Sequence, residues 1–215
     1  MTDEPAGLSL DLFDTLVTVE DVGDPPEAIE AELEHRDVAV PDDWHDRYHE
    51  PHVTVPKGRE LSLVEHTVAI LAEGYTRTEI EKYREEIEIA VLSAFDTEIR
   101  TPPEALEAVR QVDNETPVGI LSNCSVPSLA QRVLAVSEFD PESFDAIIAS
   151  VDCGWRKPHP KAFGTVATQL GIPVEKVLHV GDDPRTDGGA EAAGAQSVIV
   201  DGPADLPGVI ADRWG

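Results

Sequence analysis

Acidic side chains, a hydroxyl and a lysine recur where short apolar runs of this sequence end. In chain order, these residues are Asp11, Asp14 and Thr15, then Ser122 and Asn123, then Lys157, and last Asp182, Asp183 and Asp187. Ligands of an open parallel sheet bind at the carboxyl ends of its strands. If the apolar runs are parallel strands, we expect these side chains to converge on one edge of a sheet.

This combination of residue types suits phosphoryl transfer through an aspartyl intermediate. Paired carboxylates such as Asp11 and Asp182 are ligands for Mg²⁺, a hard cation that prefers oxygen atoms. The metal would neutralise the charges of a carboxylate nucleophile and of an incoming phosphate, which otherwise repel each other. The hydroxyl of Ser122 and the ammonium of Lys157 would then hold the remaining phosphoryl oxygens.

The elements that must position these residues follow from the spacing of apolar side chains. Short apolar runs bounded by turn residues predict strands at 8–12, 118–121, 146–151, 177–180 and 197–200. Helical stretches are predicted at 103–112, 128–136, 160–170 and 187–193. The alternation of strands and helices predicts an α/β fold, in which helices cover both faces of a Rossmann-like parallel sheet.

The segment 18–95 interrupts this alternation and predicts helices only. They are expected at 26–35, 41–49, 61–72 and 78–95, with Thr78 and Glu81 forming a capping box at the start of the last one. We therefore predict a catalytic core of residues 1–17 and 96–215 and an inserted all-helical cap domain of residues 18–95.

The charge of the chain excludes some classes of partner. Its 215 residues include 16 Lys and Arg against 43 Asp and Glu, which gives a formal net charge of −27. Such a surface repels nucleic acids and anionic membranes, so neither is expected as a partner. The charge and the scarcity of lysine favour a halophilic protein, because molar salt screens the self-repulsion. Two cysteines and the lack of a leader-like or membrane-spanning apolar run predict a cytoplasmic protein.

Four segments of the chain resemble, in order, the signature motifs of the haloacid dehalogenase superfamily, which consists mostly of phosphatases. They are LDLFDTL at 10–16, GILSN at 119–123, Lys157-Pro158, and HVGDD at 179–183 followed by DGGA at 187–190. The resemblance covers nearly the whole chain, and the helical insert stands where that family carries its cap. The competing receiver domain has its lysine after its acidic residues, whereas Lys157 precedes Asp182 here.

The resemblance implies a role for each matching residue. The expected catalytic residues are the nucleophile Asp11, together with Ser122 and Lys157. The expected substrate-binding residues are Thr15, Ser122, Asn123 and Lys157. The expected Mg²⁺ ligands are Asp11, the backbone carbonyl of Phe13 and Asp182, with Asp187 behind them positioning a metal-bound water or Lys157.

One residue departs from the pattern of the family. Its phosphatases usually carry an acid/base Asp two residues after the nucleophile, where this chain has Phe13. Phenylalanine can neither protonate a leaving oxygen nor activate water, and the loss of a positioned acid or base typically costs ~10²–10⁴ in rate. Dehalogenase members of the family carry an aromatic Tyr at this position.

The sequence therefore favours a Mg²⁺-dependent hydrolase that acts on a small phosphorylated metabolite through Asp11. Two alternatives stay open. Phe13 supports a catalytically slow protein that binds a phosphorylated ligand. It also mildly favours a 2-haloacid dehalogenase, against which the carboxylate of Asp182 argues. No motif of the insert predicts the substrate, and no feature predicts an oligomeric state.

Polar residues of the insert have two interpretations, a contact with the substrate or a solvated surface. The polar or positive residues concentrated in this otherwise acidic segment are His45, Arg47, His49, Lys57 and Arg59. A zinc site would need a fourth ligand or a cysteine beside His45, His49 and His52, and none accompanies them. Cys124 is predicted to be a small buried apolar residue.

Overall fold

The computed structural model describes residues 4–20 and 23–214 of the chain. Its strands are β1 Gly7–Leu10, β2 Thr18–Val19, β3 Ile99–Arg100, β4 Val118–Ser122, β5 Ala146–Ala149, β6 Val177–Gly181 and β7 Gln196–Ile199. Within the described residues, five of these strands form a parallel sheet in the order β5-β4-β1-β6-β7. The predicted α/β fold with a parallel sheet is confirmed.

Helices cover this sheet and form the insert. They are α1 Pro25–His35, α2 Trp44–Tyr48, α3 Leu63–Leu71, α4 Arg77–Lys82, α5 Arg84–Ser93, α6 Pro103–Gln111, α7 Leu129–Val136, α8 Ser150–Cys153, α9 Pro160–Gln169, α10 Ala190–Ala193 and α11 Leu206–Trp214. Short 3₁₀ turns lie at Pro141–Ser143, Val174–Lys176, Asp187–Gly189 and Pro203–Asp205. In the part of the chain that the structure describes, no helix combines the length and the apolar character needed to cross a membrane.

Side chains of the sheet point alternately into two apolar layers, because successive residues of a strand face opposite sides. On one side, Leu10 of β1 belongs to a buried cluster that continues into the helices of the insert. On the other side, Leu121 of β4 packs with Phe163 of α9. Ser9 and His179 are paired in register on neighbouring strands, and the ring of His179 contacts Phe163 on this second side. The central strands are thus buried on both faces, as is typical of a parallel sheet.

The insert enters and leaves the core at one place. β2 and β3 flank the helices α1–α5 and pair with each other in antiparallel orientation, with Thr18 opposite Arg100 and Val19 opposite Ile99. Between them, the described residues form helices and loops without a named strand. Because β2 lies inside the predicted insert, the expectation of helices only over residues 18–95 is wrong at the first residues. The domain boundaries at residues 18 and 95 stay a prediction.

The strand predicted at 146–151 is too long. It ends at Ala149, and α8 begins at Ser150. The hydroxyl of Ser150 accepts a hydrogen bond from the backbone N–H of Cys124 at 2.9 Å, which anchors the turn out of the sheet. Cys124 itself is buried, as predicted.

The helix predicted at 78–95 and its capping box are also wrong. The segment forms two helices, α4 and α5, which meet at Tyr83, where the backbone leaves the helical range with φ −94° and ψ 5°. The capping box is formed by Thr76 and Glu79 instead of Thr78 and Glu81, because Thr76 has the extended backbone that precedes the helix. Its hydroxyl accepts from the N–H of Glu79, and the Glu79 carboxylate accepts from the N–H of Thr76.

Candidate active site

Three carboxylates meet at the carboxyl edge of the sheet. Asp11 follows the central strand β1, and its backbone N–H donates to the carbonyl of Val180 in β6 at 2.9 Å. Asp182 directly follows β6, and Asp187 opens a 3₁₀ turn shortly after it. One oxygen from each of these carboxylates lies within 4.8 Å of the others. The structure therefore brings together Asp11, Asp182 and Asp187, as the strand ends predict.

Lys157 is buried between two of these carboxylates. Its Nζ lies 2.8 Å from Asp11 Oδ1 and 2.6 Å from Asp187 Oδ1, and its side chain is 1% exposed. Asn123, directly after β4, holds the loop of the lysine. Its Nδ2 donates to the Lys157 carbonyl at 3.0 Å, and its Oδ1 accepts from the Lys157 N–H at 2.8 Å. The buried ammonium offsets the mutual repulsion of the carboxylates and provides positive charge for an anion bound beside them.

A chain of buried polar groups supports Asp187 from inside the sheet. Asp187 Oδ1 lies 2.9 Å from His179 Nε2, and His179 Nδ1 lies 2.9 Å from the hydroxyl of Ser9. Burial acts to raise the pKa of Asp187, but the hydrogen bond with His179 and the charge of Lys157 outweigh it, so this pKa lies well below its ordinary value. Burial lowers the pKa of His179 to about 4, so its ring is neutral near pH 7.

Burial dominates the pKa values of the other two carboxylates. It raises the pKa of Asp11 to about 6, with Lys157 acting against it and the negative charge of Asp187 adding to it. The pKa of Asp182 is also raised, first by burial and further by the charges of Asp187 and Asp14. A cation bound between Asp11 and Asp182 would stabilise their ionised forms.

The donor atoms around Asp11 fit a hard divalent cation. Asp11 Oδ1 is buried beside the Lys157 ammonium at 2.8 Å, and no other group in the described part of the chain donates a hydrogen bond to it. Carboxylate oxygens are the ligands that Mg²⁺ prefers. A glycine at position 181 allows the close packing, because a Cβ there would lie 2.3 Å from Asp187 Cγ. Asp11 and Asp182 are therefore the carboxylates that could hold a magnesium ion, with Asp187 behind them bonded to Lys157 and His179.

Other residues predicted for the site occupy the same edge with different partners. Thr15 is buried, and its hydroxyl donates to Asp182 Oδ1 at 3.4 Å. Ser122 is the buried last residue of β4. Asp183 does not join the carboxylate cluster. It pairs with the exposed Arg185, whose guanidinium and backbone N–H both donate to it.

An open cleft of about 560 Å³ lies between the core and the insert. Residues of both parts line it, among them Phe13, Asp14, Asn123 and Leu129 of the core and Tyr48, Leu63 and Phe95 of the insert. Phe13 and Asp14 belong to the loop that begins at Asp11, so the cleft lies along this loop.

The polar insert residues considered as substrate contacts do not line this cleft, although Arg59 lines a smaller neighbouring cleft that shares Tyr48 and Leu63 with it. Within residues 4–20 and 23–214, the wall of the cleft includes none of His45, Arg47, His49, Lys57 and Arg59. Arg47 pairs with Glu73, and the Arg59 guanidinium lies 4.7 Å from the ring centroid of Trp155. Among the described residues, the side chains that lie close enough to share a metal ion are those of the carboxylate cluster. His45, His49 and His52 do not form such a group there.

Two buried polar side chains, those of His179 and Glu60, were not predicted from the sequence. His179 lies within a recognised motif but received no role, although a polar residue in the middle of a buried strand is a usable signal. The side chain of Glu60 in the insert is 1% exposed and accepts hydrogen bonds from the hydroxyls of Ser125 and Ser150 and from Arg156. It ties the insert to the loops that follow β4 and β5. Nothing in the sequence distinguishes Glu60 from the other acidic residues.

The sequence matches the haloacid dehalogenase-like hydrolase family over residues 6–194. The parallel sheet and the carboxylate cluster at its carboxyl edge are in accord with this match. The chain therefore belongs to the haloacid dehalogenase-like hydrolases, and the family resemblance of its motifs is confirmed.

Known proteins of two activities are similar to this chain. A segment of 82 residues, 38% of this chain, is 33% identical to the phosphoglycolate phosphatase of Escherichia coli (strain K12), and it spans 32% of that relative's length. The crystal structure of a 2-haloacid dehalogenase from Pseudomonas syringae pv. Tomato DC3000 has a TM-score of 0.68 at 19% identity, covering 97% of this chain and 98% of that one. The crystal structure of a predicted phosphoglycolate phosphatase from Haemophilus somnus 129pt has a TM-score of 0.61 at 17% identity, covering 96% and 98%. These solved structures show the fold.

Proposed function

We propose that this protein is a Mg²⁺-dependent phosphatase that hydrolyses a small phosphate monoester through Asp11. The observation that carries the proposal is the buried Lys157 between Asp11 and Asp187, with Asp182 beside them. This arrangement combines a carboxylate nucleophile with a cation that can neutralise a phosphoryl group. The partial identity with the Escherichia coli phosphoglycolate phosphatase supports the same class of reaction.

The reaction would consist of two displacements at phosphorus. In the first, an oxygen of Asp11 bonds to phosphorus while the bond to the ester oxygen breaks, and the departing alcohol takes a proton from solvent. In the second, water attacks the same phosphorus, loses a proton, and releases inorganic phosphate and free Asp11. The ammonium of Lys157 lies beside Asp11 and would stabilise the phosphoryl oxygens in both steps, with Ser122 holding another of them.

In this proposal, the ion is held by Asp11, Asp182 and the backbone carbonyl of Phe13, and Asp187 positions Lys157. The bound ion supplies positive charge against the repulsion between carboxylates and phosphate. The pKa of Asp11, about 6 because of burial, leaves this carboxylate ionised in most molecules at pH 7 even before the ion binds.

We further propose that residues 18–95 act as a cap that helps to select the substrate. Tyr48 of α2, Leu63 of α3 and Phe95 supply one wall of the cleft beside Asp11. We also propose that the protein is cytoplasmic and salt-adapted, and the net charge of −27 supports the salt adaptation.

The proposal is tested by phosphate release from 4-nitrophenyl phosphate with and without Mg²⁺ in molar KCl. Asp11→Asn should abolish turnover, and Asp182→Asn should lower the rate and raise the Mg²⁺ concentration needed. Asp183→Asn is the matched control, because Asp183 pairs with Arg185 outside the cluster and should keep close to the wild-type rate. Near-wild-type turnover by a folded Asp11→Asn variant would show that the covalent mechanism is wrong.

A 2-haloacid dehalogenase is the second candidate, favoured by the aromatic Phe13 two residues after Asp11. In that reaction, Asp11 would displace a halide from carbon, and water would then hydrolyse the ester. Chloride release from 2-chloropropionate in EDTA, without phosphate release in Mg²⁺, would favour this candidate. If neither reaction occurs and calorimetry shows that inorganic phosphate binds, a slow phosphate-binding protein is the better description.

A further inference from the structure

The walls of the cleft are apolar on both sides. The core contributes Phe13, Val126 and Leu129, and the insert contributes Leu63 and Phe95. The volume of about 560 Å³ falls within the range of roughly 300–1,000 Å³ that is typical of small-molecule sites. The cleft therefore has room for a substituent of the size of an aromatic ring or larger.

Two residues that line the cleft belong to, or hold, the loops that carry Asp11 and Lys157. Phe13 lies two residues after Asp11 in the same loop. Asn123, another wall residue, makes two hydrogen bonds to the backbone of Lys157. A phosphate ester whose phosphoryl group lies at Asp11 and Lys157 would therefore extend its alcohol part into the cleft.

The charge on the walls disfavours a negatively charged alcohol part. Among the described residues, the wall includes the carboxylate of Asp14 and no Lys, Arg or His. Arg59, His66 and Arg156 border a smaller neighbouring cleft, but each already has a partner. Arg59 lies over the ring of Trp155, His66 hydrogen-bonds to the Tyr48 carbonyl, and Arg156 pairs with Glu60 at 3.0 Å. A carboxylate placed against these apolar walls would lose its hydration without gaining a cation, and Asp14 would repel it.

We infer that the preferred substrate is the phosphate monoester of an uncharged, apolar alcohol. This inference rests on the phosphatase function proposed above and narrows its substrate class. An aromatic alcohol would pack against the rings of Phe13, Tyr48 and Phe95. Phosphoglycolate, whose alcohol part carries a carboxylate, is a poor fit to this cleft, although the Escherichia coli relative bears the name phosphoglycolate phosphatase.

The first test compares 4-methylphenyl phosphate with 4-carboxyphenyl phosphate, two aryl esters of similar shape that differ in charge. With Mg²⁺ present, we expect kcat/KM for the methyl compound to exceed that for the carboxylate by at least about tenfold, the lower end of what one pocket contact typically achieves. Phosphoglycolate should be slower than either. Equal or higher kcat/KM for the carboxylate or for phosphoglycolate would overturn the inference and leave the phosphatase function standing. A folded protein that releases phosphate from none of the three esters would overturn both.

The second test supplies the cation that the wall lacks. Leu63→Arg should shift the ratio of kcat/KM values toward 4-carboxyphenyl phosphate by about tenfold or more. Thr97→Arg introduces the same charge at a second, partly exposed wall position, in case Leu63→Arg fails to fold. Ile89→Arg is the control, because Ile89 is 46% exposed on α5 and does not line the cleft. If the folded wall variants leave the ratio at the value of the control, the inference is wrong.

Discussion

We predict that the free energy of unfolding falls in mild acid because His179 is a fully buried, neutral histidine. Its Nε2–H donates to the ionised Asp187, and its Nδ1 accepts from the hydroxyl of Ser9. This assignment of the ring proton follows from Asp187, which can only accept while it is ionised. Burial lowers the pKa of His179 from 6.5 to about 4.

Proton linkage gives the sign and the size of the change in the free energy of unfolding with pH. Between pH 6.5 and about 4, the unfolded chain binds a proton at His179 while the folded protein does not, so the free energy of unfolding falls as the pH falls. At about 1.4 kcal/mol per pKa unit, the loss is about 2 kcal/mol between pH 6.5 and pH 5, and about 3 kcal/mol once pH 4 is reached. That is a sizeable part of the ~5–15 kcal/mol that stabilises a typical domain.

The assay is urea unfolding of the wild type and of His179→Gln at pH 7.5 and pH 5, in EDTA and molar KCl. The variant should be less stable at pH 7.5 by about 1–2 kcal/mol, because it loses a buried hydrogen bond. On acidification, however, it should lose about 2 kcal/mol less than the wild type, so the gap between the two proteins closes.

Other groups that titrate in this range cancel in the comparison. Asp11, with a pKa of about 6, is present in both proteins. In the variant Asp187 loses its hydrogen bond from His179, but the Lys157 ammonium at 2.6 Å still favours its ionised form. The same loss of stability in wild type and variant between pH 7.5 and pH 5 would refute the reasoning.

Three further predictions concern the site and the surface. Gly181→Ala should strongly reduce stability and turnover, because its Cβ would lie 2.3 Å from Asp187 Cγ, whereas Gly188→Ala meets nothing within 4 Å. Equal melting temperatures and rates in these two variants would contradict this packing argument. Phe13→Asp should supply the missing acid or base and raise the rate of ethyl phosphate hydrolysis, relative to that of 4-nitrophenyl phosphate, by up to ~10²–10⁴. If the wild-type protein already hydrolyses both esters equally well, another group moves the proton and this prediction is wrong. The net charge of −27 should make the melting temperature rise steeply from low to molar KCl, and a flat or falling series would exclude salt adaptation.

The parallel sheet and the carboxylate cluster could be predicted from the sequence because both follow from local patterns. Short apolar runs and helical periodicity depend on neighbouring residues, and parallel strands send all their carboxyl ends to one edge. Asp11, Lys157 and Asp182 could therefore be placed together without knowledge of any distance. The exact ends of elements were less accessible, as the break at Tyr83 shows, because alternative ends differ little in local energy.

The sequence by itself determined the class of fold, the order of the motifs and the net charge. Only the tertiary structure decided which polar groups are buried and what they bind. Ser9 and His179 are 170 residues apart in the chain, and Glu60 and Ser150 are 90 apart, yet each pair forms a hydrogen bond. The apolar cleft likewise exists only where the insert meets the core. Desolvation and hydrogen bonding act over a few ångströms in space, so spacing along the chain does not reveal which of the 43 acidic residues they affect.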